Sequence, residues 1–209
     1  RAGQLRGWQV GGPAAYFTRA PSEDDIIGAF EFARKNGLEV FILGGGSNIL
    51  VSDAGFDGLV IHVLPKRISI EDSIITAGAG EDWDRFVEYC VSKDLAGVEC
   101  LSGIPGFVGG TPVQNVGAYG QEVSETITKV RCFDREKLGF VVLNNPSCEF
   151  TYRKSIFNSS HRDRYVVLAV TYELVLGGKP KMSYKDLRDH FRAHQPTLRE
   201  TRDAVLSIR

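Results

Sequence analysis

SGIPGFVGGTPVQNVGAYG, residues 102–120, holds six glycines, two prolines and no charged side chain. In a helix each interior Gly costs about 1 kcal/mol relative to Ala and Pro about 3, so the run predicts irregular backbone. Glycine also lets bare main chain come close to a ligand, with no Cβ in the way. Unpaired N–H groups suit phosphate oxygens, and a hydrogen bond to a charged group contributes about 1.5–3 kcal/mol. A second run, Gly44-Gly45-Gly46-Ser47-Asn48, follows the apolar stretch 39–43. Two such loops point to a ligand with a diphosphate and a long body, the shape of a dinucleotide cofactor. The plainer alternatives are a structural loop over 102–120 and a tight β turn at 44–46.

The rest of the chain is of ordinary globular composition: 209 residues, 43% hydrophobic, 24% charged, formal net charge -1. That is enough for one or two domains, and the charge balance gives no reason to expect a nucleic-acid or membrane partner. No apolar run approaches the roughly 20 residues that span a bilayer, and no signal-peptide pattern opens the chain. The four cysteines, Cys90, Cys100, Cys132 and Cys148, lack zinc-type spacing. Cys90 and Cys132 have apolar neighbours, so buried free thiols and a reducing cytoplasm are expected. The chain opens on Arg1 rather than Met, which suggests a missing extreme N-terminus.

Ser22, followed by Glu23, Asp24 and Asp25, reads as a capped helix start. Ile26, Ile27, Phe30 and Ala33 then fall on one face, and Lys35-Asn36-Gly37 closes the helix. Strands are predicted at 39–43, 49–52, 59–63, 68–71 and 74–77, with a second helix from Glu81 to about Lys93 that buries Trp83, Phe86, Val87 and Cys90. Residues 130–133 and 140–143 predict a hairpin, and 166–176 is a further β-rich run. The organisation is α+β, divided as 1–65, 66–178 and 179–209. Thr197 and Glu200 form a T-x-x-E capping box opening a helix with Ala204, Val205 and Ile208 on one face. Nothing follows for that face to pack on, so the chain is expected to continue in a longer protein. His190 and His194, four apart, are expected on a solvated polar face rather than at a metal, and no metal site is expected.

Known nucleotide motifs do not fit. There is no G-x-x-x-x-G-K-[ST], and GGGSN lacks the G-x-G-x-x-G spacing and runs into strand-favouring residues. Four segments, WQVGGPAAYF (8–17), LGGGSNILVSD (43–53), SGIPGFVGGTPVQNVGAYG (102–120) and FTYRKSIF (150–157), instead closely resemble the bacterial UDP-N-acetylenolpyruvoylglucosamine reductase family. The similarity runs over essentially the whole chain.

That resemblance implies a two-subdomain FAD-binding fold of the vanillyl-alcohol-oxidase (PCMH) type. It assigns the FAD diphosphate to the amides of Gly44, Gly45, Gly46, Ser47 and Asn48, with Ile104, Pro105, Gly106, Gly109, Gly110 and Thr111. Val113, Gly117, Ala118 and Tyr152 continue along the cofactor. Neither loop carries a charge, so N–H dipoles are expected to do most of the neutralisation. The implied reaction uses NADPH to reduce FAD, then passes hydride to C3 of an enolpyruvyl ether, with protonation at C2 giving UDP-N-acetylmuramate for peptidoglycan synthesis. Arg153 matches the catalytic arginine, a permanent cation facing a carboxylate on which charge builds up. Tyr184 and Arg209 match residues that bind the UDP-sugar substrate. The family's serine proton donor and its assisting glutamate have no equivalent here, so FAD binding without efficient turnover is expected. The resemblance further implies a monomeric, cytoplasmic protein. A flavin oxidase of the same fold and a non-catalytic nucleotide-binding module are the competing readings; no His or Cys for covalent flavin attachment lies in either glycine loop.

Overall fold

A capped helix and three short strands build the N-terminal layer. The computed structural model describes residues 11–192 and 194–209, which leaves Trp8, Gln9 and Val10 of the first matching segment outside it. β1 (Ala14–Ala20) leads into α1 (Glu23–Lys35). There the Ser22 hydroxyl accepts the Asp25 N–H and the Asp25 carboxylate accepts the Ser22 N–H, closing a capping box. α1 buries Ile26, Ala29, Phe30 and Ala33. β2 (Glu39–Leu43) and β3 (Phe56–Val63) complete a parallel sheet of order β1-β3-β2.

The strand expected at 49–52 is absent: the segment is irregular and Leu50 is exposed. Its β propensity finds no ladder, because the backbone beside it belongs to Gly11 and Gly12. The Gly12 amide donates to Ser52 O at 2.8 Å, and a Cβ on Gly12 would stand 2.2 Å from Asp53 O. β propensity without a neighbouring strand does not make a strand.

β4 (Ile68–Glu71) and β5 (Ile74–Gly78) follow as an antiparallel pair. α2 (Trp83–Ser92) is capped by Asp82, one turn shorter than expected, and buries Trp83, Phe86, Val87, Cys90 and Val91. β6 (Leu95–Ala96) comes next. The stretch 102–120 forms no α-helix, only a single 3-10 turn at Val108–Gly110, before the two-residue ribbon of β7 (Gly117–Ala118) and β8 (Gln121–Glu122). β9 (Ile127–Asp134) and β10 (Gly139–Asn144) are the expected hairpin. β11 (Tyr165–Glu173) joins them to β5 in an antiparallel sheet of order β10-β9-β11-β5-β4, and β12 (Val175–Leu176) pairs with β6. α3 (Lys185–His190) and α4 (Leu198–Ile208) end the chain.

The parallel sheet lies within 14–63 and the antiparallel sheet within 68–173, yet both feed one buried cluster. Phe30 of α1 stacks on Phe133 of β9 at 5.1 Å, and Arg131 donates twice to the Glu23 carboxylate, at 2.7 and 3.0 Å. α4 corrects the expectation that its apolar face lacks a partner. Ala204 and Val205 pack back onto Cys100 and Leu187, while Ile208 stays exposed. All four cysteines are free and buried. Burial pushes the Cys90 and Cys148 thiols up to about 12, and raises Cys100 and Cys132 as well, so none is a ready nucleophile.

Asp134 ends β9 almost fully buried, with the Arg164 guanidinium donating to both its oxygens at 2.8–3.3 Å. That guanidinium, helped by the Lys137 and Glu136 amides, holds the Asp134 carboxyl below the usual range. Arg131 and Arg202 do the same for Glu23 and Asp84. A depressed carboxylate contributes stability that is present above its unfolded pKa, about 3.9 for Asp, and lost as pH falls through the folded value. The urea midpoint is therefore expected to hold between about pH 7 and 5 and to fall steeply below about pH 4. Asp134→Asn should lower the neutral midpoint and flatten the acid limb; a wild-type midpoint that stays level down to about pH 2.5 would contradict this.

Candidate functional site

The two glycine loops, 58 residues apart at their closest hydrogen bond, meet in space. Ser47 Oγ donates to Pro105 O at 3.0 Å, and Asn48 Nδ2 donates to Gln114 Oε1 at 2.9 Å. A Cβ on Gly45 would stand 2.8 Å from Gly106 Cα, so this crossing admits no side chain at position 45. Gly106 itself has φ +125°, a backbone region that excludes a Cβ on its own account. Between and beside the loops runs a cleft of about 570 Å³ lined by 44–49, 104–107, Gly110, Thr111 and Val113. It adjoins a hollow of about 230 Å³ between the two sheets, with Val40, Val63, Val167 and Tyr165 in its walls. This is the size range of cofactor sites.

The N-terminus of α2 fixes the second loop from behind. Trp83 Nε1 donates to Leu101 O at 3.0 Å, and the Trp83 amide donates to Gly106 O at 3.0 Å. Gly103 N donates to Asp84 Oδ1 at 2.7 Å, Val108 N to Glu81 O at 2.9 Å, and Gly109 N to Ala79 O at 3.0 Å. The Gly110 and Thr111 amides are also committed, to Phe107 O and Val108 O. Among the described residues, the amides of Gly45, Gly46, Ser47, Asn48, Ile104, Gly106 and Phe107 have no acceptor. Uncommitted donors therefore collect at the crossing, while Gly110 offers bare, exposed backbone surface. A Cβ built on Gly44 or Gly110 would meet no protein atom within 4 Å, so both glycines leave open space on the cleft wall. Spare amides beside open glycine backbone fit the phosphates and body of FAD.

The third matching segment is tied to the second. Asn115 Nδ2 donates to Thr151 O at 3.0 Å, Ser155 Oγ to Val113 O at 2.7 Å, and Arg153 Nη2 to Gly117 O at 2.8 Å. Arg153 sits in a tight turn closed by Thr151 and Lys154, with left-handed backbone (φ +55°). It is not among the residues lining the cleft, nor are Gly117, Ala118 and Tyr152; Ala118 packs on the core, and Tyr152 is exposed beside the Arg153 guanidinium. Tyr184 caps α3 and meets Tyr119 edge-on at 5.3 Å, and Arg209 lies against Gly103 at the start of the second loop. His190 is exposed, His194 lies 3.4 Å from Glu200, and no cluster of three metal-ligating side chains exists among the described residues.

Several lining residues escaped the sequence reading. The loops are uncharged, but Arg162 and Asp163 reach the cleft from the segment before β11, and Arg135 reaches the adjoining hollow from the β9–β10 turn. Arg162 and Asp163 form an exposed 3.7 Å pair, which leaves the guanidinium available. Arg135 donates to Asp163 O at 2.7 Å and lies over Phe30. Their only sequence signal is an Arg-rich run, indistinguishable from a solvated turn. Beneath the first loop, His62 is buried and stacked on Phe107 at 5.9 Å, with no hydrogen-bond partner for either ring nitrogen among the described residues. Burial, with help from the Arg19 charge, lowers its pKa, and the Gly44 backbone opposes this.

The FAD binding domain family matches residues 14–137. The chain is 43% identical over 212 residues to the UDP-N-acetylenolpyruvoylglucosamine reductase of Thermobifida fusca, across 96% of this chain and 58% of that protein. Against the Neisseria gonorrhoeae reductase it is 42% identical over 194 residues, across 88% of this chain and 55% of that protein. The chain thus spans less than two thirds of the length of these relatives. The crystal structure of UDP-N-acetylenolpyruvylglucosamine reductase from Thermus caldophilus superposes with a TM-score of 0.72 at 24% identity, covering 96% of this chain and 64% of that one. That of 6-hydroxy-D-nicotine oxidase from Arthrobacter nicotinovorans gives 0.60 at 21%, covering 79% and 37%. Both likenesses bear on the fold, an α+β FAD-binding fold of the PCMH type. The chain belongs to the FAD binding domain family, and its sequence resembles the UDP-N-acetylenolpyruvoylglucosamine reductases.

Proposed function

We propose that these residues hold FAD in the cleft at the loop crossing, in a protein that reduces UDP-N-acetylenolpyruvoylglucosamine to UDP-N-acetylmuramate for the bacterial cell wall. The observation that carries this is the group of uncommitted amides at 45–48 and at Ile104, Gly106 and Phe107, beside open backbone at Gly44 and Gly110. Because the chain spans 58% of the Thermobifida fusca relative, the reduction is proposed for the whole protein and flavin binding for these residues. Further parts of the same proposal are NADPH as reductant, a monomeric state, a cytoplasmic location, and division at 65 and 178 into two flavin-binding parts and a substrate-loop region. Among the described residues, no helix is long and apolar enough to cross a membrane.

Bound there, the flavin would supply the hydride that saturates the enolpyruvyl double bond. The protein's own part is binding, orientation and charge. In this reading the amides at 45–48, with Ile104, Gly106 and Phe107, take the diphosphate oxygens, and Val113 and Thr111 border the cofactor body. Arg162 and Arg135 add positive charge from the opposite wall. Arg153 is proposed as the catalytic residue. Its guanidinium stays protonated at any working pH and presents a planar fork to the substrate carboxylate, where charge grows in the transition state. The hydrogen bond to Gly117 O orients that fork at no cost in charge, since a carbonyl is its only hydrogen-bond partner among the described residues. Tyr184 and Arg209 are proposed to contact the substrate's UDP portion, and Tyr152 the cofactor.

Two experiments test this reading. Purified chain mixed with FAD and desalted is expected to keep a yellow flavin spectrum. Gly110→Val is expected to abolish that colour while leaving the melting temperature nearly unchanged, since a Cβ there meets no protein atom within 4 Å and faces the cleft. A chain that binds no FAD on titration, or a Gly110→Val variant that binds it normally, overturns the assignment. In the full-length protein, Arg153→Ala should keep flavin but lose turnover by about a hundredfold or more. A loss of about tenfold or less would reduce Arg153 to a binding role.

A further inference from the structure

Asp84 lines no part of the cleft, yet it joins the second glycine loop to the C-terminal helix. Its Oδ1 accepts the Gly103 amide at 2.7 Å and Arg202 Nη1 at 2.6 Å, and its Oδ2 accepts Arg202 Nη2 at 2.9 Å. The Arg202 side chain is only 5% exposed and that of Asp84 36%, so a two-pronged charged fork joins α2 and α4 with the guanidinium buried and the carboxylate half-open to solvent. Arg202 keeps the Asp84 carboxyl below its usual range, with the Gly103 amide and the Arg209 charge adding to the effect. Leu206 and Arg209, one and two turns further along α4, close over the same glycine. A Cβ on Gly103 would stand 2.8 Å from Leu206 Cδ2 and 3.4 Å from Arg209 Cδ, and its φ of +72° is left-handed.

The geometry points to Asp84 and Arg202 as positioning residues for the cofactor: docking of α4 sets the backbone of 103–107, and hence the spare amides of Ile104, Gly106 and Phe107. Gly103 is the hinge at which the chain turns from the Glu99–Leu101 turn into the loop. Its amide is held by a carboxylate that α4 itself orients, so a shift of α4 reaches the cleft-lining residues 104–107 through contacts that lie outside the cleft. Coupling of this kind is reciprocal, so FAD binding must in turn stabilise the docked state of α4. The inference rests on the flavin reading above.

The test compares Asp84→Asn, which keeps an acceptor for Gly103 but loses the ion pair, with Arg202→Lys, which keeps the charge but loses the fork. Glu23→Gln serves as control, breaking a doubly hydrogen-bonded pair remote from the loop. Flavin-fluorescence titration is expected to show the FAD dissociation constant raised about 5–150-fold in the first two variants and unchanged in the control. Amide exchange in the flavin-free chain is expected to accelerate at Gly103, the amide that Asp84 accepts, in the first two and not in β9 or β11. An unchanged dissociation constant in both variants, or an equal rise in the control, overturns the positioning role. Should the wild-type chain bind no FAD, the flavin reading fails by itself. Exchange then decides the coupling: faster exchange at Gly103 with β9 and β11 unchanged supports it, and unchanged exchange at Gly103 contradicts it.

Discussion

Two backbones that cross with no side chain between them are the constraint on which the site depends. Gly45 and Gly106 come so near that a methyl group on Gly45 would overlap the main chain of its partner. Loops that must touch this closely cannot fill the gap with apolar atoms, and their amides must find acceptors or stay unpaired. On one side the parallel sheet delivers Gly44 directly from the end of β2. On the other, α2 and the residues just before it hold 101–109 through five hydrogen bonds, from Trp83 Nε1, Trp83 N, Asp84, Glu81 and Ala79. Rigid attachment at both ends leaves the crossing free of strand pairing and open to a polyanion. The tolerance of Gly44 and Gly110 for a Cβ is the complementary fact, because neither glycine is required by the protein's own packing.

Most of the fold could be read locally. Ser22 and Thr197 cap the helices expected to start there, Thr197 through the predicted capping box, and α1 and α2 bury the residues picked out by helical periodicity except Ile27, which is half-buried where Ala29 is buried instead. The β9–β10 hairpin lies where two apolar runs flank a polar turn. The failures share a cause. Residues 49–52 have the composition of a strand but no neighbour to pair with, and α4 showed no partner in sequence because Cys100 precedes it by about a hundred residues. Periodicity reports which face is buried and is silent on what covers it.

The site divides in the same way. Both glycine loops stand out in the sequence because a long uncharged run rich in Gly and Pro has few uses. The donors that matter could not be chosen from it, since the commitment of the Gly109, Gly110 and Thr111 amides depends on Ala79 and on a 3-10 turn. Arg162 reaches the cleft, and Arg135 the adjoining hollow, only because the antiparallel sheet packs beside the parallel one. Arg153 became a candidate through family resemblance alone. Its left-handed turn and its bond to Gly117 O give that candidate a fixed position beside β7.

The most direct test of the central claim is a backbone amide NMR titration comparing FAD, ADP and riboflavin. If spare main-chain donors at the crossing hold a diphosphate, FAD and ADP will both shift the resonances of 45–48 together with those of Ile104, Gly106 and Phe107. Riboflavin, which has no phosphate, will leave them in place. Shifts of equal size with riboflavin, or a titration that moves other amides while these stay still, would contradict the account.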